Sequence, residues 1–237
     1  MPYEMWIEND ADELVISDAG ITYGYIGRAV LVSVVQAGTS EVSATAGRST
    51  YTIDWPGEIL VALPVKGNGT TEFRSASRVG NSWTIVVHKA NGAKTALGFD
   101  VQEATEVYVF GAPSAATSGP WSCLLYDDNE QVCADLSRRP LAYKARVIIP
   151  DPAVSWPMPA GSYVPAIVGN PIGGSRTSVR TGAFYVIRTF STGWTLEASG
   201  ALAILSYQDR REQDDGPAVT YNNRPSAVSL LVDATTL

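Results

Sequence analysis

The residues of this chain that could do chemistry are few and lie far apart. The single histidine, His88, stands in TIVVHKANG at 84–92, just before an Asn-Gly pair. A histidine can serve as the base of a Ser-His-Asp site, but the chain contains no G-x-S-x-G sequence. A histidine near the end of a hairpin strand is more often an ordinary half-exposed residue. We therefore predict no catalytic residue, and the sequence indicates that the protein is not an enzyme.

Metal and cofactor sites are also not indicated. One histidine and two cysteines cannot supply the usual nitrogen and sulfur ligands of a zinc site. The segment GNGTTE at 67–72 lacks the lysine of a P-loop and the last glycine of a dinucleotide-binding turn. Carboxylates that could bind calcium or hydrolyse a glycoside occur in three groups, namely Asp10, Asp12 and Glu13; Asp127, Asp128 and Glu130; and the segment 209–216. Turns and loops carry acidic residues simply because they are solvated, so we predict no metal and no cofactor.

The six tryptophans are the remaining candidates for a binding site. Trp83 and Trp194 each begin a Trp-Thr segment of a strand and are predicted to be buried in the core. Trp55 and Trp156 each precede a proline, which favours an extended conformation in a loop or an edge strand. An exposed ring there could stack on a sugar or on a neighbouring subunit, and burial within the chain's own domain is the other interpretation. Trp55 and Trp156 are therefore the candidate ligand or partner contacts.

The elements that must position these residues are short β-strands. Segments such as EILVALPV, SWTIVV, GAFYVIRTF and ALAILSY are rich in β-branched and aromatic residues and are separated by Gly, Pro, Asn or Ser. Helical spacing of apolar residues over more than two turns is not found, and the best candidate, DVQEATEV at 100–107, is short. The sequence predicts an all-β fold.

Two similar phrases indicate an internal duplication. MWIENDADELVISD at 5–18 aligns with CLLYDDNEQVCADL at 123–136, an offset of 118 residues (123 − 5). Each phrase places Asp-rich and Asn-rich turn residues between two apolar runs, which is typical of a β-hairpin. The same order of features follows each hairpin: a Trp-Pro pair (Trp55-Pro56, Trp156-Pro157), a Trp-Thr pair (Trp83-Thr84, Trp194-Thr195) and a glycine turn (Asn91-Gly92, Ser199-Gly200).

We therefore predict two tandem β-sandwich-like domains, residues 1–118 and 119–237, in which the hairpins and the Trp-Thr strands are equivalent. The alternative is that the order of these common features is accidental.

The charge of the chain restricts its partners. Charged residues make up 17% of the chain, against about 25% in average globular proteins, which favours a surface that is covered by partner subunits. The net charge is −7, with −6 in residues 1–118 (7 basic, 13 acidic) and −1 in residues 119–237 (10 basic, 11 acidic). Neither half carries the basic excess of a nucleic-acid-binding protein, so no nucleic acid partner is expected.

The cysteines and the first residues of the chain indicate the cellular compartment in which the protein is made. Cys123 and Cys133 lie on opposite arms of the second hairpin, at equal distances from Asp128 along the chain. A cross-strand disulfide is conceivable, whereas the cytosol keeps thiols reduced; both states stay open. The start, MPYEMWIEND, lacks a signal-peptide pattern, and the longest apolar run, at 28–35, is far shorter than the roughly 20 residues of a membrane helix. We expect synthesis in the cytoplasm, without export and without membrane insertion.

The hairpin phrase resembles a phrase in minor tail proteins of tailed bacteriophages, where the pattern reads roughly G-L-x-V-[YW]-D-x-x-G-x-x-x-[FL]-D-S. The segments MWIENDADELVISD and CLLYDDNEQVCADLSRRPL carry the resemblance, although both lack the turn glycine. The resemblance implies a virion structural protein of a tail tip or baseplate, or one associated with the tail fibres. Such a protein is made in the host cytoplasm and is located in the virion tail.

Two functions follow from the resemblance. An assembly component would bury neutral surfaces against other tail proteins, whereas a receptor-binding module would gather Trp and Tyr at one end to contact a host glycan or pilus. Tail tubes are commonly sixfold and fibres commonly threefold, so three copies of a two-domain chain could form a ring of six similar domains. We therefore expect a homotrimer or a multiple of three.

Overall fold

The protein is all-β, as the sequence predicts. The computed structural model describes residues 6–8, 14–17, 22–67, 69–113, 123–127, 129–149, 155–235 and 237, and for 6–8, 14–17 and 224–225 it describes the backbone alone. Up to residue 113 the strands are β1 (Trp6–Glu8), β2 (Leu14–Ser17), β3 (Gly24–Arg28), β4 (Val30–Val35), β5 (Ser43–Thr45), β6 (Arg48–Asp54), β7 (Ile59–Pro64), β8 (Thr71–Val79), β9 (Ser82–Lys94), β10 (Asp100–Gln102) and β11 (Tyr108–Gly111). From residue 123 they are β12 (Leu124–Tyr126), β13 (Val132–Asp135), β14 (Tyr143–Ile149), β15 (Ser155–Trp156), β16 (Pro165–Val168), β17 (Pro171–Thr181), β18 (Phe184–Leu196), β19 (Leu202–Asp214) and β20 (Tyr221–Asp233).

Most strands belong to one large antiparallel sheet. Its main path runs β3-β11-β7-β16-β20-β17-β18-β8-β9-β6-β4, with β5, β10, β14, β15 and β19 attached to it, while β1-β2 and β12-β13 form separate two-stranded hairpins. The two ends of the path, β3 and β4, are joined in the chain by Ala29, whose N–H donates to the carbonyl of Val107 at 2.9 Å. The sheet is therefore nearly closed.

Strands from both halves of the chain are neighbours in this sheet. β7 pairs with β16 from Ala62–Val168 to Pro64–Ala166, β5 pairs with β19, and β8 meets β18 where Thr71 pairs with Trp194. These contacts satisfy backbone groups that two separate sandwiches would leave at open edges. The division into two separate domains at residue 118 is therefore not confirmed.

Each half nevertheless has a core of its own. The first core includes Tyr51, Val61, Leu63, Ile85, Val87 and Val109, and the second includes Val147, Ile167, Trp194, Leu202 and Leu231. The pairing inside the two cores corresponds, because Val109 lies opposite Val61 in the first as Leu231 lies opposite Ile167 in the second. A third cluster, with Ala62, Phe110, Ala166 and Val232, contains side chains of both halves. Apolar burial thus stabilises both halves and the boundary between them.

The two hairpins of the repeated phrase have the same register. In β1–β2, Trp6 pairs with Ser17 and Ile7 with Ile16 before the register shifts. In β12–β13, the partners Leu124–Asp135 and Leu125–Ala134 stand at the same offset of 118 (124 − 6 and 135 − 17), and the shift follows at the same place. The phrase predicted as a hairpin therefore folds as one in both copies.

A second hairpin is repeated as well, although the sequence did not indicate its equivalence. The β8–β9 and β17–β18 hairpins correspond at an offset of 102 (184 − 82). Their two-residue turns begin with Gly80 (φ 61°) and Gly182 (φ 65°), the position where a type II′ turn requires glycine. The offset between the halves has thus fallen from 118 to 102.

The smaller offset at the later features shows that the first half contains additional residues before them. The Trp-Pro pairs stand at an offset of 101 (156 − 55), so the first half holds 17 more residues (118 − 101) between its β1–β2 hairpin and Trp55. Strands β4 and β5 lie in this interval.

The details of the repeat differ from the expectations. Trp83 and Trp194 are not equivalent, because at the offset of 102 Trp83 corresponds to Tyr185 and Trp194 to Gly92. The Asn91-Gly92 pair is not a turn but lies inside β9. The actual counterpart of the turn at Gly200 is at Gly98, and both glycines have φ 83°. The segment 100–107 is not helical, since Asp100 and Gln102 pair with β9.

The cysteines also depart from the symmetric arrangement. The register of β12–β13 places Cys123 opposite Leu136, whose N–H donates to the carbonyl of Cys123 at 2.8 Å. Cys133 lies at the irregularity between Ala134 and Val132 and is buried. The two are not joined by a disulfide, because the bulge removes Cys133 from the position across from Cys123.

Candidate functional site

The tryptophans predicted as ligand contacts are covered by their own chain to different degrees. Trp55 is 5% exposed, and its ring packs so closely on Gly111 that a Cβ added there would lie 2.4 Å from it. The guanidinium of Arg138 covers the same ring, 4.8 Å from its centroid. Trp156 is half-buried against the core of the second half. The structure therefore favours burial over ligand stacking for Trp55 and leaves Trp156 only partly accessible.

His88 is completely buried, so the expectation of a half-exposed residue is wrong. The reason is that β9 continues to Lys94 instead of ending in a turn at Asn91, which places His88 within the strand. Its Nδ1 lies 3.1 Å from the carbonyl oxygen of Gly47. A carbonyl can only accept, so Nδ1 carries the proton and Nε2 does not. Burial lowers the pKa of His88 to about 4, and the ring is neutral near pH 7.

A partly buried polar network surrounds this histidine. The ring of Tyr207 stacks on His88 at 4.0 Å between centroids and 5° between planes, and its hydroxyl donates to Glu72. Arg74 forms an ion pair with Asp209 and donates a 2.7 Å hydrogen bond to the Tyr207 hydroxyl. Because Glu72 and Arg74 lie on β8 while Tyr207 and Asp209 lie on β19, the network joins the two halves of the chain.

The network is held in one ionisation state by its own contacts. Burial raises the pKa of Glu72, and contact with Tyr207 and Arg74 partly opposes the rise. Burial and the neighbouring Glu72 raise the pKa of Tyr207, which keeps the phenol protonated. Burial opposes the charge of Arg74, but Tyr207, Asp209 and Glu72 together raise its pKa above the ordinary value. Such a network stabilises the junction only as a complete set, because an isolated buried charge is costly.

A cavity of about 410 Å³ opens beside this network, where the halves meet. Its lining includes Thr70, Asn91, Lys94 and Asp100 from the first half and Thr195 and Leu205 from the second. The Asp100 side chain is 4% exposed and forms an ion pair with Lys94, which is 52% exposed. Oδ2 of Asp100 lies 3.9 Å from Nε2 of His88, too far for a hydrogen bond. The cavity therefore reaches the network through Asp100.

The acidic groups do not form a metal site in the part of the chain that the structure describes. Asp10, Asp12, Glu13 and Asp128 lie outside the described residues. Asp127 serves the hairpin turn, since its Oδ1 accepts hydrogen bonds from the N–H groups of Asn129 and Gln131 at 2.9 and 2.8 Å. Most of the segment 209–216 is not a loop, because β19 runs to Asp214.

Large apolar side chains are exposed on several strands. All six residues of β4 (VLVSVV) are exposed, and among them Val30 is 68% and Val32 is 60% exposed. A second apolar surface lies on β14, β17 and β20, where Ile148, Ile172 and Val228 are 48%, 75% and 61% exposed. Apolar surface gathered in this way is typical of contact with another molecule.

The network and the cavity were missed by sequence reasoning, although a partial signal was present. Glu72 and Arg74 stand two residues apart, as do Tyr207 and Asp209, and residues at this spacing lie on the same face of a strand. The sequence could have shown a polar face on each of these two strands. It could not show that the faces meet, because Arg74 and Asp209 are 135 residues apart.

Comparison of the chain with protein-family models, with curated proteins and with solved structures finds no match. Among the described residues there is no helix of the length and apolar character that crossing a membrane requires.

Proposed function

We propose that this protein is a virion structural protein of a phage tail tip or baseplate, which assembles with other tail proteins. The resemblance of the repeated phrase to phage minor tail proteins supports this proposal. The folding of both copies as hairpins with one common register also agrees with it.

The observation that carries an assembly role is the exposure of β4. Its apolar residues occupy both alternating faces, a pattern that strands adopt when they are buried on both sides. Among the described strands β4 pairs with β6 alone, so one edge of it is open. An apolar strand with an open edge is a site of pairing with another chain. We take the covering molecule to be a neighbouring subunit.

The arrangement of that neighbour is part of the same proposal. Three copies of a chain with two similar halves would place six similar units around a ring, so we propose a homotrimer or a multiple of three. The alternative function is a receptor-binding module of the tail that contacts a host glycan or pilus. Trp55 gives no support to this alternative, because its ring is covered.

The solution mass of the chain tests the proposal. Size-exclusion chromatography with light scattering should give a trimer or a multiple of three for the wild type. Val32→Lys should shift the mass towards the monomer, because Val32 is 60% exposed and a charge there would be desolvated in the contact. Ser77→Lys is the matched control, since it adds the same charge at an exposed position of β8.

Two outcomes would contradict the proposal. A monomeric wild type would exclude the homotrimer. A Val32→Lys variant with the wild-type mass would exclude β4 as the contact.

A further inference from the structure

The cavity between the halves has a lining without net charge. Lys94 and Asp100 are its ionisable residues and are paired with each other. A bound anion would approach Asp100, and a bound cation would approach Lys94, so neither kind of ligand is favoured by the pair. The volume of about 410 Å³ lies within the range of roughly 300–1,000 Å³ that small-molecule sites occupy.

The lining offers donors and acceptors in nearly equal measure. Lys94 can only donate and the Asp100 carboxylate can only accept, whereas the Asn91 amide and the hydroxyls of Thr70 and Thr195 can do both. Leu205, which is 47% exposed, adds an apolar wall. A ligand that matches this set carries several groups that both donate and accept, on a frame with apolar C–H faces.

Two buried polar atoms at or beside this cavity have no hydrogen-bond partner among the described residues. The Oγ1 atom of Thr70 is buried and has no hydrogen-bond partner among the described residues, although Thr70 lines the cavity. A buried hydroxyl without a partner is costly, and a bound polar group relieves that cost. The other atom is Nε2 of the neutral His88, which lies 3.9 Å from Oδ2 of Asp100 and carries no proton to donate to it. Oδ2 of Asp100 therefore gains no hydrogen bond from the histidine.

We propose that this cavity binds a neutral polyhydroxylated molecule, the end of a saccharide chain, with Asp100 accepting from and Lys94 donating to its hydroxyl groups. The inference rests on the cavity alone and does not depend on the assembly role proposed above. Because the lining comes from both halves, the bound sugar would contact β9, β18 and β19 together.

The test is saturation-transfer NMR of the full chain with glucose, galactose, mannose and N-acetylglucosamine, each added alone. At least one sugar should receive saturation from the wild type. Lys94→Met should weaken that binding by about tenfold or more, because it removes a charged donor. Lys66→Met is the matched control, since it makes the same change at an exposed lysine outside the cavity lining, and it should bind as the wild type does.

Asp100→Asn is a second variant, which keeps the shape of the side chain but removes the charged acceptor. It should also weaken binding, and circular dichroism checks that it is folded. If it does not fold, Lys94→Met carries the test, because that side chain is half-exposed. The proposal is overturned if no sugar binds the wild type, if Lys94→Met binds as tightly as Lys66→Met, or if inorganic phosphate binds this cavity more tightly than the sugars do. A change in the solution mass of the chain would bear on the assembly role and not on this site.

Discussion

Acidification should destabilise this protein through His88, and the effect can be isolated because His88 is the single histidine of the chain. In the folded protein the ring is buried and its pKa is lowered from 6.5 to about 4. In the unfolded chain the ring is solvated and takes up a proton as the pH falls below 6.5. The unfolded state then binds more protons than the folded state, so the free energy of unfolding decreases with decreasing pH.

The magnitude follows from the two pKa values. They lie about 2.5 pH units apart, and each unit corresponds to about 1.4 kcal/mol, so the full loss is roughly 3 kcal/mol. About 2 kcal/mol of it should be lost between about pH 7 and pH 5. Below about pH 4 the folded protein is protonated as well, and no further loss arises from this residue.

The assay is urea denaturation of the wild type and of His88→Gln at pH 7, 6 and 5. The amide of glutamine can still donate to the carbonyl of Gly47, but it does not titrate. Glu72, whose pKa is raised by burial, acts in the opposite direction, because its protonation in the folded state stabilises that state. The same carboxyl is present in both proteins, so the difference between them reports His88. His88→Phe, which keeps an aromatic ring against Tyr207, is a second non-titrating variant.

Parallel loss of stability in the wild type and in both variants would refute this reasoning. An independent check is the NMR titration of the imidazole. A midpoint near pH 6.5 in the folded protein would show that the ring is solvated and not buried.

Further predictions concern the β12–β13 hairpin and the tryptophans Trp83 and Trp194. Glu130 has φ 61°, and Glu130→Gly should raise the free energy of unfolding by about 1 kcal/mol because glycine adopts this conformation without strain; a decrease would contradict it. Trp194 is 0% exposed and donates a 3.0 Å hydrogen bond to the carbonyl of Gly169. Trp194→Ala should therefore lower the free energy of unfolding by about 3–5 kcal/mol. Trp83 is half-buried under Arg78, so Trp83→Ala should cost only about 1–2 kcal/mol. Equal losses in urea denaturation would count against the difference in burial.

The features that could be predicted from the sequence are those set by neighbouring residues. Alternating β-branched and aromatic residues identify strands, and the Asp-rich phrase identifies its hairpin because Asp127 bonds to the backbone of its own turn. In the phage pattern a glycine stands three residues after the aspartate. Here Glu130 stands at that place and has the left-handed conformation that the glycine would adopt.

The features that could not be predicted depend on distant strands. Asn91-Gly92 has the composition of a turn, yet it stays within β9, where Gly92 keeps φ 85° inside the strand. A dipeptide such as Trp-Thr does not specify its position along a strand. The sequence therefore predicts that Trp83 and Trp194 are equivalent, although they lie at different positions in the two hairpins. The pairing of β7 with β16 and the contact of Arg74 with Asp209 are likewise set by the arrangement of the sheet. The cavity, which lies where these distant strands meet, could not be predicted for the same reason.

The interval that contains β4 and β5 is longer than its counterpart in the second half, so the two halves differ in the number of contact surfaces that they offer. Apart from this interval the halves repeat their hairpins and the pairing in their cores, and a repeat alone would give each chain two similar contact surfaces. Because β4 lies in the interval in which the first half is 17 residues longer (118 − 101), we expect each chain to offer this apolar edge once. An assembly in which a neighbouring subunit covers β4 therefore makes this contact once per chain, and a ring of three chains would contain three such contacts among six similar units.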